Sequence, residues 1–320
     1  MKRAFVFPGQ GSQVVGMGSA LAAAYPSARR LFAEVDDALS QHLSRLMFEG
    51  PETELTLTEN AQPALMAASL AAIRVLESED GLNLARDVAF VAGHSVGEYS
   101  ALAAARALSV GDTARLLKLR GRAMQQAVPI GVGAMAALLG LDIKRAGTVA
   151  AEATRREVGP DEVCAVANDN APGQVVVSGH HGAVTRAVAI ARTHSARAIA
   201  LPVSAPFHSP LMAPAAKVME EALGRVMLCP PVVPLVANIS AAATREPPRI
   251  RRGLVEQVTA MVRWRESILF LKAAGIEEII EIGAGRVLTG LVKRIDPDIA
   301  ARSVATPADI EALTGSFEEF

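Results

Sequence analysis

Val91-Ala92-Gly93-His94-Ser95-Val96-Gly97-Glu98 places a G-x-S-x-G pattern between two segments of different periodicity. The apolar run 88–92 before it reads as a buried strand, and the Ala- and Leu-rich segment 98–108 after it reads as a helix. Strand, tight turn and helix form the setting in which this pattern becomes a nucleophile elbow. Ser95 then sits at a sharp, strained backbone position, and Gly93 and Gly97 let strand and helix pass closely. The serine Oγ is presented outward, and the helix N-terminus favours negative charge beside it. A plainer arrangement uses the same residues: two glycines that end a strand, with Ser95 as an ordinary helix N-cap. The flanking periodicities favour the elbow.

Upstream, the short apolar run 4–7 reads as a strand ended by Pro8-Gly9. Gln10-Gly11-Ser12-Gln13 is then a polar, glycine-rich loop before a helix at 18–23. It is either a simple connection or a loop whose backbone N–H groups line an anion site. A phosphate-binding P-loop is excluded, because no Lys-Ser/Thr follows at the needed spacing. Residues 27–48 read as one helix, with Leu31, Val35, Leu39, Leu43 and Leu46 on its apolar line. Residues 58–63 read as a turn and cap, and Pro63 opens a helix over 63–78. Residues 110–128 read as another helix, apolar along Leu117, Gly121, Met124 and Val128, with Arg115, Lys118, Arg122 and Gln126 on the wet side. Arg120 is out of place, directed toward Leu117, Gly121 and Met124. A guanidinium aimed at a core is costly unless paired. It is a snorkelling side chain, a structural ion pair or a fork for a substrate carboxylate, and spacing does not choose among them.

From Gly133 the texture changes. A strand at 134–141, a helix at 142–157, strands at 163–167 and 175–178, a helix at 183–194 and a strand at 198–203 give the order β-α-β-β-α-β. That is the ferredoxin-like unit, with Asn168-Asp169-Asn170-Ala171-Pro172-Gly173 as its central turn. Its length of roughly 70 residues suits a subdomain inserted into a larger domain. Ser204-Ala205-Pro206-Phe207-His208-Ser209-Pro210 leaves it as an irregular loop at a domain junction, where clefts form. A strand at 277–282, a helix at 287–294 and a last strand at 303–305 follow.

Composition narrows the class. The chain has 320 residues, 51% apolar and 20% charged, with a net charge of -1, which excludes a globally basic nucleic-acid binder. One Trp and two Tyr argue against base stacking. Cys164 and Cys229 lack metal-binding spacing and, in apolar surroundings, read as reduced core residues. The apolar run after Lys2-Arg3 is too short for a signal peptide core, and no stretch is long enough to span a bilayer. The expectation is a cytoplasmic enzyme.

A serine nucleophile needs a general base. Of six histidines, His94 adjoins Ser95 and points away from it along an extended approach. His42, His180, His181 and His194 lie among polar or charged neighbours and read as surface groups. His208, in the proline-flanked junction loop, is the candidate base. No histidine follows it and no acid is an obvious partner, so a dyad held by a backbone or amide group fits better than a triad.

Five stretches resemble the malonyl-CoA:acyl carrier protein transacylases and the acyltransferase domains of polyketide synthases. They are Phe7-Pro8-Gly9-Gln10-Gly11-Ser12-Gln13, Glu59-Asn60-Ala61-Gln62-Pro63-Ala64, Gly93-His94-Ser95-Val96-Gly97-Glu98-Tyr99-Ser100-Ala101-Leu102, Phe207-His208-Ser209-Pro210-Leu211-Met212 and Gly285-Arg286-Val287-Leu288-Thr289-Gly290-Leu291. They keep the family's order; Gly283-Ala284-Gly285 departs from its usual Gly-Pro-Gly. The resemblance implies an α/β-hydrolase-like large domain, residues 1–132 and 204–320, with an inserted ferredoxin-like small domain, residues 133–203. It implies an [acyl-carrier-protein] S-malonyltransferase of fatty acid synthesis, working by a ping-pong malonyl-serine mechanism. Ser95 would be the nucleophile and His208 the base, with the backbone N–H groups of Gln10 and Val96 as oxyanion hole. Arg120 would bind the malonyl carboxylate beside Gln62. Phe207 would leave no room for an α-methyl branch, and the main-chain carbonyl of Gln257 would orient His208. No metal or cofactor is implied, since malonyl-CoA is a substrate. The expected partner is an acidic acyl carrier protein, with no nucleic acid or membrane, and the expected state is a monomer. Arg245, Arg249, Arg251 and Arg252 form either a solvated loop or a patch that steers the carrier. Other readings are a serine thioesterase, against which Arg120 speaks, an inactive carrier-binding scaffold, and the same chemistry in a polyketide or malonate-decarboxylase pathway.

Overall fold

The computed structural model describes residues 1–155, 159–203 and 205–313. Its strands are β1 (Arg3–Phe7), β2 (Phe90–Gly93), β3 (Gly133–Leu139), β4 (Cys164–Ala171), β5 (Gln174–His180), β6 (Arg197–Ala200), β7 (Leu235–Ala237), β8 (Ala242–Thr244), β9 (Glu278–Ile282) and β10 (Ala300–Val304). Ala4, Phe5, Val6 and Phe7 are all fully buried, as a strand flanked on both edges and covered on both faces requires. Their side chains alternate between layers: Phe5 and Phe7 join Val91 in one apolar cluster, while Ala4 and Val6 join Ala92 in another.

Around β1 runs a six-stranded sheet in the order β10-β9-β1-β2-β7-β8, parallel except for β8. One face is covered by helices that include Thr58–Glu79 and Val110–Gln126, the other by Trp264–Ala273 and Val287–Ile295. The second sheet, order β4-β5-β3-β6, is wholly antiparallel and carries helices Ile143–Thr154 and His181–Thr193 over its own apolar cluster. Met135 and Val176 on its opposite face pack into the main core. Large α/β sheet and ferredoxin-like sheet both match the fold class read from the sequence. Among the described residues, no helix is long and apolar enough to cross a membrane.

Most element ends shift slightly from their expected positions, and four differences are larger. The single helix expected over 27–48 is two, Pro26–Leu39 and Leu43–Glu49. Ser40 takes a left-handed conformation, and the Asp36 carboxylate accepts the Ser44 N–H at 2.8 Å, capping the second helix from the side of the first. The residues read as a turn before Pro63 are helical: the helix is Thr58–Glu79, with Pro63 inside it. Tertiary packing overrides the proline signal there, because Asn60, Ala61 and Gln62 are all buried. The helix after the elbow is Val96–Ala104, starting earlier and ending sooner than expected. Asn168 to Ala171 belong to β4 and are not a turn; Pro172-Gly173 alone make the reversal. Their polar groups are met from outside the small sheet. Asp169 N–H donates to Val262 O at 3.0 Å, and Val262 N–H donates to Ala167 O at 2.9 Å. The Arg265 guanidinium clasps the Asp169 carboxylate at 2.8 Å, and His94 Nε2 lies 2.8 Å from Asn170 Oδ1. The expected helix end at Glu157, the loop start at Ser204 and the segment from 314 to 320 lie outside the described residues.

The close passage of strand and helix at the elbow is tight enough to predict a large effect. A Cβ added to Gly97 would lie 2.0 Å from the Phe7 carbonyl oxygen, and one on Gly93 would lie 1.9 Å from the Gly97 carbonyl carbon. Both obstacles are backbone, one at the end of β1 in the sheet's centre and one in the first turn of helix Val96–Ala104, and neither can give way. Gly97→Ala is expected to cost about 3 kcal/mol, measured as a fall in the urea midpoint at unchanged slope.

Candidate active site

Three parallel neighbours end on the same edge of the large sheet, the edge where open α/β sheets hold ligands. After β1 comes the loop with Gln10, after β2 comes Ser95 and after β7 comes Asn238. Gly9 abuts the elbow, since a Cβ there would meet the His94 carbonyl oxygen at 2.6 Å.

Ser95 has φ 52° and ψ −105°, a region that non-glycine residues avoid. It precedes the first turn of helix Val96–Ala104 but its side chain makes no capping bond. The plain N-cap arrangement is therefore not the one adopted. Oγ instead lies 2.8 Å from His208 Nε2. His208 Nδ1 lies 2.8 Å from the main-chain carbonyl of Gln257. A carbonyl only accepts, so the proton sits on Nδ1 and Nε2 is left to accept from the serine hydroxyl. Burial first, and then the Arg120 charge, push the His208 pKa down to about 3. The imidazole is neutral at neutral pH, the form a base must have.

Arg120 lies fully buried on helix Val110–Gln126. Nη1 donates to Gln62 Oε1 at 2.8 Å, and Nη2 donates to Gln257 Oε1 at 3.0 Å and to Ser95 Oγ at 3.1 Å. Its guanidinium carbon is 5.7 Å from the Tyr99 ring centre. All these oxygens are uncharged, and burial lowers its pKa. Among the described residues, Arg120 Nε and the Tyr99 hydroxyl, both buried, find no hydrogen-bond partner. A desolvated cation with an idle donor beside a serine is poised for an anionic group. Helix Thr58–Glu79 can bring Gln62 this close because Gly121 lets the helices touch: a Cβ there would be 2.5 Å from Glu59 Cα.

The structure thus joins Ser95, His208, Arg120, Gln62 and Gln257 in one hydrogen-bonded group. Val96, buried, is the first residue of its helix, where the N–H has no intrahelical acceptor. Gln10 is exposed on its loop, with Nε2 donating to Thr58 Oγ1 at 2.9 Å. Phe207 is buried in the main apolar cluster and touches the group through its chain neighbour His208. His94 is held by Asn170 and lies 5.6 Å, ring to ring, from Trp264. Arg249, Arg251 and Arg252 lie on helix Pro247–Gln257 and not in a loop, whereas Arg245 lies in the connection just before it. Arg245, Arg249 and Arg252 are exposed, whereas Arg251 is half-buried and donates to Val226 O at 3.1 Å. Among the described residues, no group of three His, Cys, Asp or Glu side chains could hold a metal ion; of the two cysteines read as core residues, Cys164 is buried and Cys229 is exposed. A surface depression of 510 Å³ lined by Arg74, Glu77 and Arg106 contains none of the residues above, and its Arg106 is paired with Glu77.

Residues 4–305 match the acyl transferase domain family. A malonyl CoA-acyl carrier protein transacylase of Bacillus subtilis is 45% identical over 319 residues, 99% of this chain and 98% of that protein. The chain belongs to the malonyl CoA-acyl carrier protein transacylase family. A solved acyl-carrier-protein S-malonyltransferase from Bartonella henselae superposes with a TM-score of 0.95 at 53% identity, covering 99% of this chain and 100% of that one. Another solved structure of the transacylase family, a malonyl-transacylase in complex with a type II polyketide acyl-carrier protein, gives 0.94 at 39% identity, covering 99% and 100%.

Two buried residues of this transacylase fold escaped the reading of the sequence. Asn238 accepts the Ser95 N–H on Oδ1 at 2.8 Å and donates Nδ2 to the Gly93 carbonyl at 2.7 Å, bracketing the elbow. Glu98 accepts from Gln257 Nε2 at 2.7 Å and from the Asn238 N–H at 3.2 Å. For Asn238 the available signal was a lone polar residue just past the apolar run 235–237.

Proposed function

We propose that this protein transfers the malonyl group from malonyl-CoA to the phosphopantetheine thiol of an acyl carrier protein in fatty acid synthesis, in the cytoplasm and without a metal or cofactor. The observation that carries the reading is the buried Arg120 guanidinium, 3.1 Å from Ser95 Oγ. It offers a malonyl carboxylate a desolvated fork directly beside the nucleophile, which a plain acyl thioester would leave unused. The names of the relatives and the carrier-bound neighbour support both substrates.

Ser95 Oγ attacks the thioester carbonyl as its proton passes to His208 Nε2. The backbone N–H groups of Val96 and Gln10 receive the developing oxyanion; a lost donor of this kind costs roughly 10²–10³ in turnover. The C–S bond then breaks, and CoA leaves with the proton from His208. In the second half, His208 takes the proton of the carrier's thiol, the thiolate attacks the malonyl-serine ester, and Ser95 leaves reprotonated. The Gln257 carbonyl keeps Nδ1 protonated throughout and does the orienting done elsewhere by an acid. Phe207 selects against an α-methyl branch, a discrimination of only about 1–3 kcal/mol. Closure of the small sheet over the cleft excludes water, so a thiol accepts the malonyl group in preference. Hydrolysis as fast as transfer would refute this last step.

Intact-protein mass spectrometry after brief mixing with malonyl-CoA tests the whole reading. A malonyl-sized adduct on Ser95 that clears on adding carrier protein is expected. Steady release of free malonate with no adduct would point to a thioesterase instead.

A further inference from the structure

Glu98 is 1% exposed, its carboxylate lies beside the nucleophile, and the mechanism above gives it no part. Its Oε2 accepts two donors, Gln257 Nε2 at 2.7 Å and the Asn238 N–H at 3.2 Å. Both partners reach reacting groups. Asn238 brackets Ser95 through its side-chain amide. Gln257 touches the Ser95 carbonyl through Nε2 at 3.1 Å and Arg120 through Oε1 at 3.0 Å, and its main-chain carbonyl holds His208.

We propose that Glu98 is a positioning residue for malonyl transfer: its carboxylate fixes which way round the Gln257 amide stands, and with Asn238 it sets nucleophile, base and arginine in one register. An ionised carboxylate can only accept, so Gln257 must turn its NH₂ end toward Glu98. Its oxygen end is thereby forced toward Arg120, which can only donate. If residue 98 could donate, the strongest hold on the NH₂ end would be gone, and the Gln257 amide could rotate by half a turn against its longer bond to the Ser95 carbonyl. An NH₂ would then face the guanidinium, and Arg120 would lose an acceptor and its fixed place beside Ser95.

The ionised form is the functional one, which gives the idea a pH readout. Burial raises the Glu98 pKa to about 7, against the lowering effects of Gln257, Asn238 and the Arg120 charge. Its other titratable surroundings stay in one form near neutrality. Tyr99, beside it on the same helix, is pushed up to about 12 by burial; His208 is pushed down to about 3 and His94 is also lowered. As pH falls through about 7, only Glu98 in this group gains a proton.

The inference rests on the malonyltransferase reading, and two probes separate their failures. The first is the single-turnover rate of malonyl-Ser95 formation from malonyl-CoA, and the second is Ser95 labelling by a fluorophosphonate, which needs the elbow and base but no malonyl site. Both are followed from about pH 5 to pH 8 in wild type, Glu98→Gln and Glu98→Asp, with thermal melting alongside. Wild-type malonylation is expected to fall as pH drops through about 7. Glu98→Gln is expected to melt as wild type does, to react about tenfold slower or more at pH 8, and to lack that acid limb. A wild-type rate flat across the range, or an acid limb that persists unmoved in Glu98→Gln, overturns the proposal. Should Glu98→Gln not fold, Glu98→Asp decides: a displaced limb supports the role and an unmoved one removes it. Fluorophosphonate labelling without any malonyl adduct in wild type would strike at the substrate reading, and the pH dependence of that labelling would still judge Glu98.

Discussion

Ser95→Ala is expected to form no acyl adduct and to lower transfer by about 10⁴- to 10⁶-fold, the scale seen when a nucleophile is removed from a serine enzyme. The structure gives the reason for so complete a loss. Within the buried group, Oγ lies 2.8 Å from Nε2 of the neutral imidazole, the nitrogen free to accept its proton, and the strained backbone at residue 95 presents it there. Alanine leaves the Asn238 bracket intact, since that bracket holds the backbone N–H of residue 95 and the Gly93 carbonyl. The variant should fold and still bind malonyl-CoA. His208→Ala is expected to cost nearly as much, and the double variant little more, because the pair acts as one unit. Steady-state transfer assays on the three variants check this; effects that multiplied would contradict a single Ser95–His208 unit.

Arg120→Ala is expected to lower kcat/KM for malonyl-CoA by about 10²- to 10³-fold while leaving the residual acetyl-CoA reaction nearly unchanged. The guanidinium is desolvated, so a carboxylate placed on it is screened little by water. The same burial makes the charge costly to hold, since its direct hydrogen-bond partners are uncharged and the Glu98 carboxylate acts on it only through space. Removing it frees Gln62 and Gln257 from their bonds to it, yet the fold should survive, which thermal melting will show. Arg120→Lys is not expected to restore the rate, because a single ammonium cannot reach Gln62, Gln257 and Ser95 together as the planar fork does. Equal losses for malonyl and acetyl donors would remove Arg120 as the selector.

How far the site was legible depends on the kind of signal each residue leaves. The elbow is local: an apolar strand, a small-residue turn and a helix lie within about twenty residues, so periodicity reveals it. Arg120 was visible as a violation, a charge on the apolar line of its helix. His208 was reached by eliminating the other histidines, and its carbonyl partner on Gln257 only through resemblance. Asn238 left only the weak trace of a lone polar residue after an apolar run, and Glu98 left none. Each is a polar residue whose part arises when segments far apart in the chain converge; the Glu98–Gln257 bond spans 159 positions. The misread boundaries have the same origin. Pro63 announces a helix start, and Asn168-Asp169-Asn170 announce a turn. Contacts from Arg265, Val262 and His94 overrule those local preferences in the second case, and burial of residues 60–62 does so in the first.

The outer end of β4 has a consequence for anyone who would rebuild this protein from interchangeable modules. The four-stranded sheet invites exchange for a relative's, because the chain enters and leaves it at one junction. Its grip on the rest of the molecule, however, is written partly in Asp169 and Asn170 and partly in the recipients Arg265 and His94. His94 is joined by a single peptide bond to the nucleophile. A transplanted sheet without an acid and an amide at those two positions would lose the clasp and loosen the residue before Ser95. The graft has to be cut so that both halves of each pair travel together.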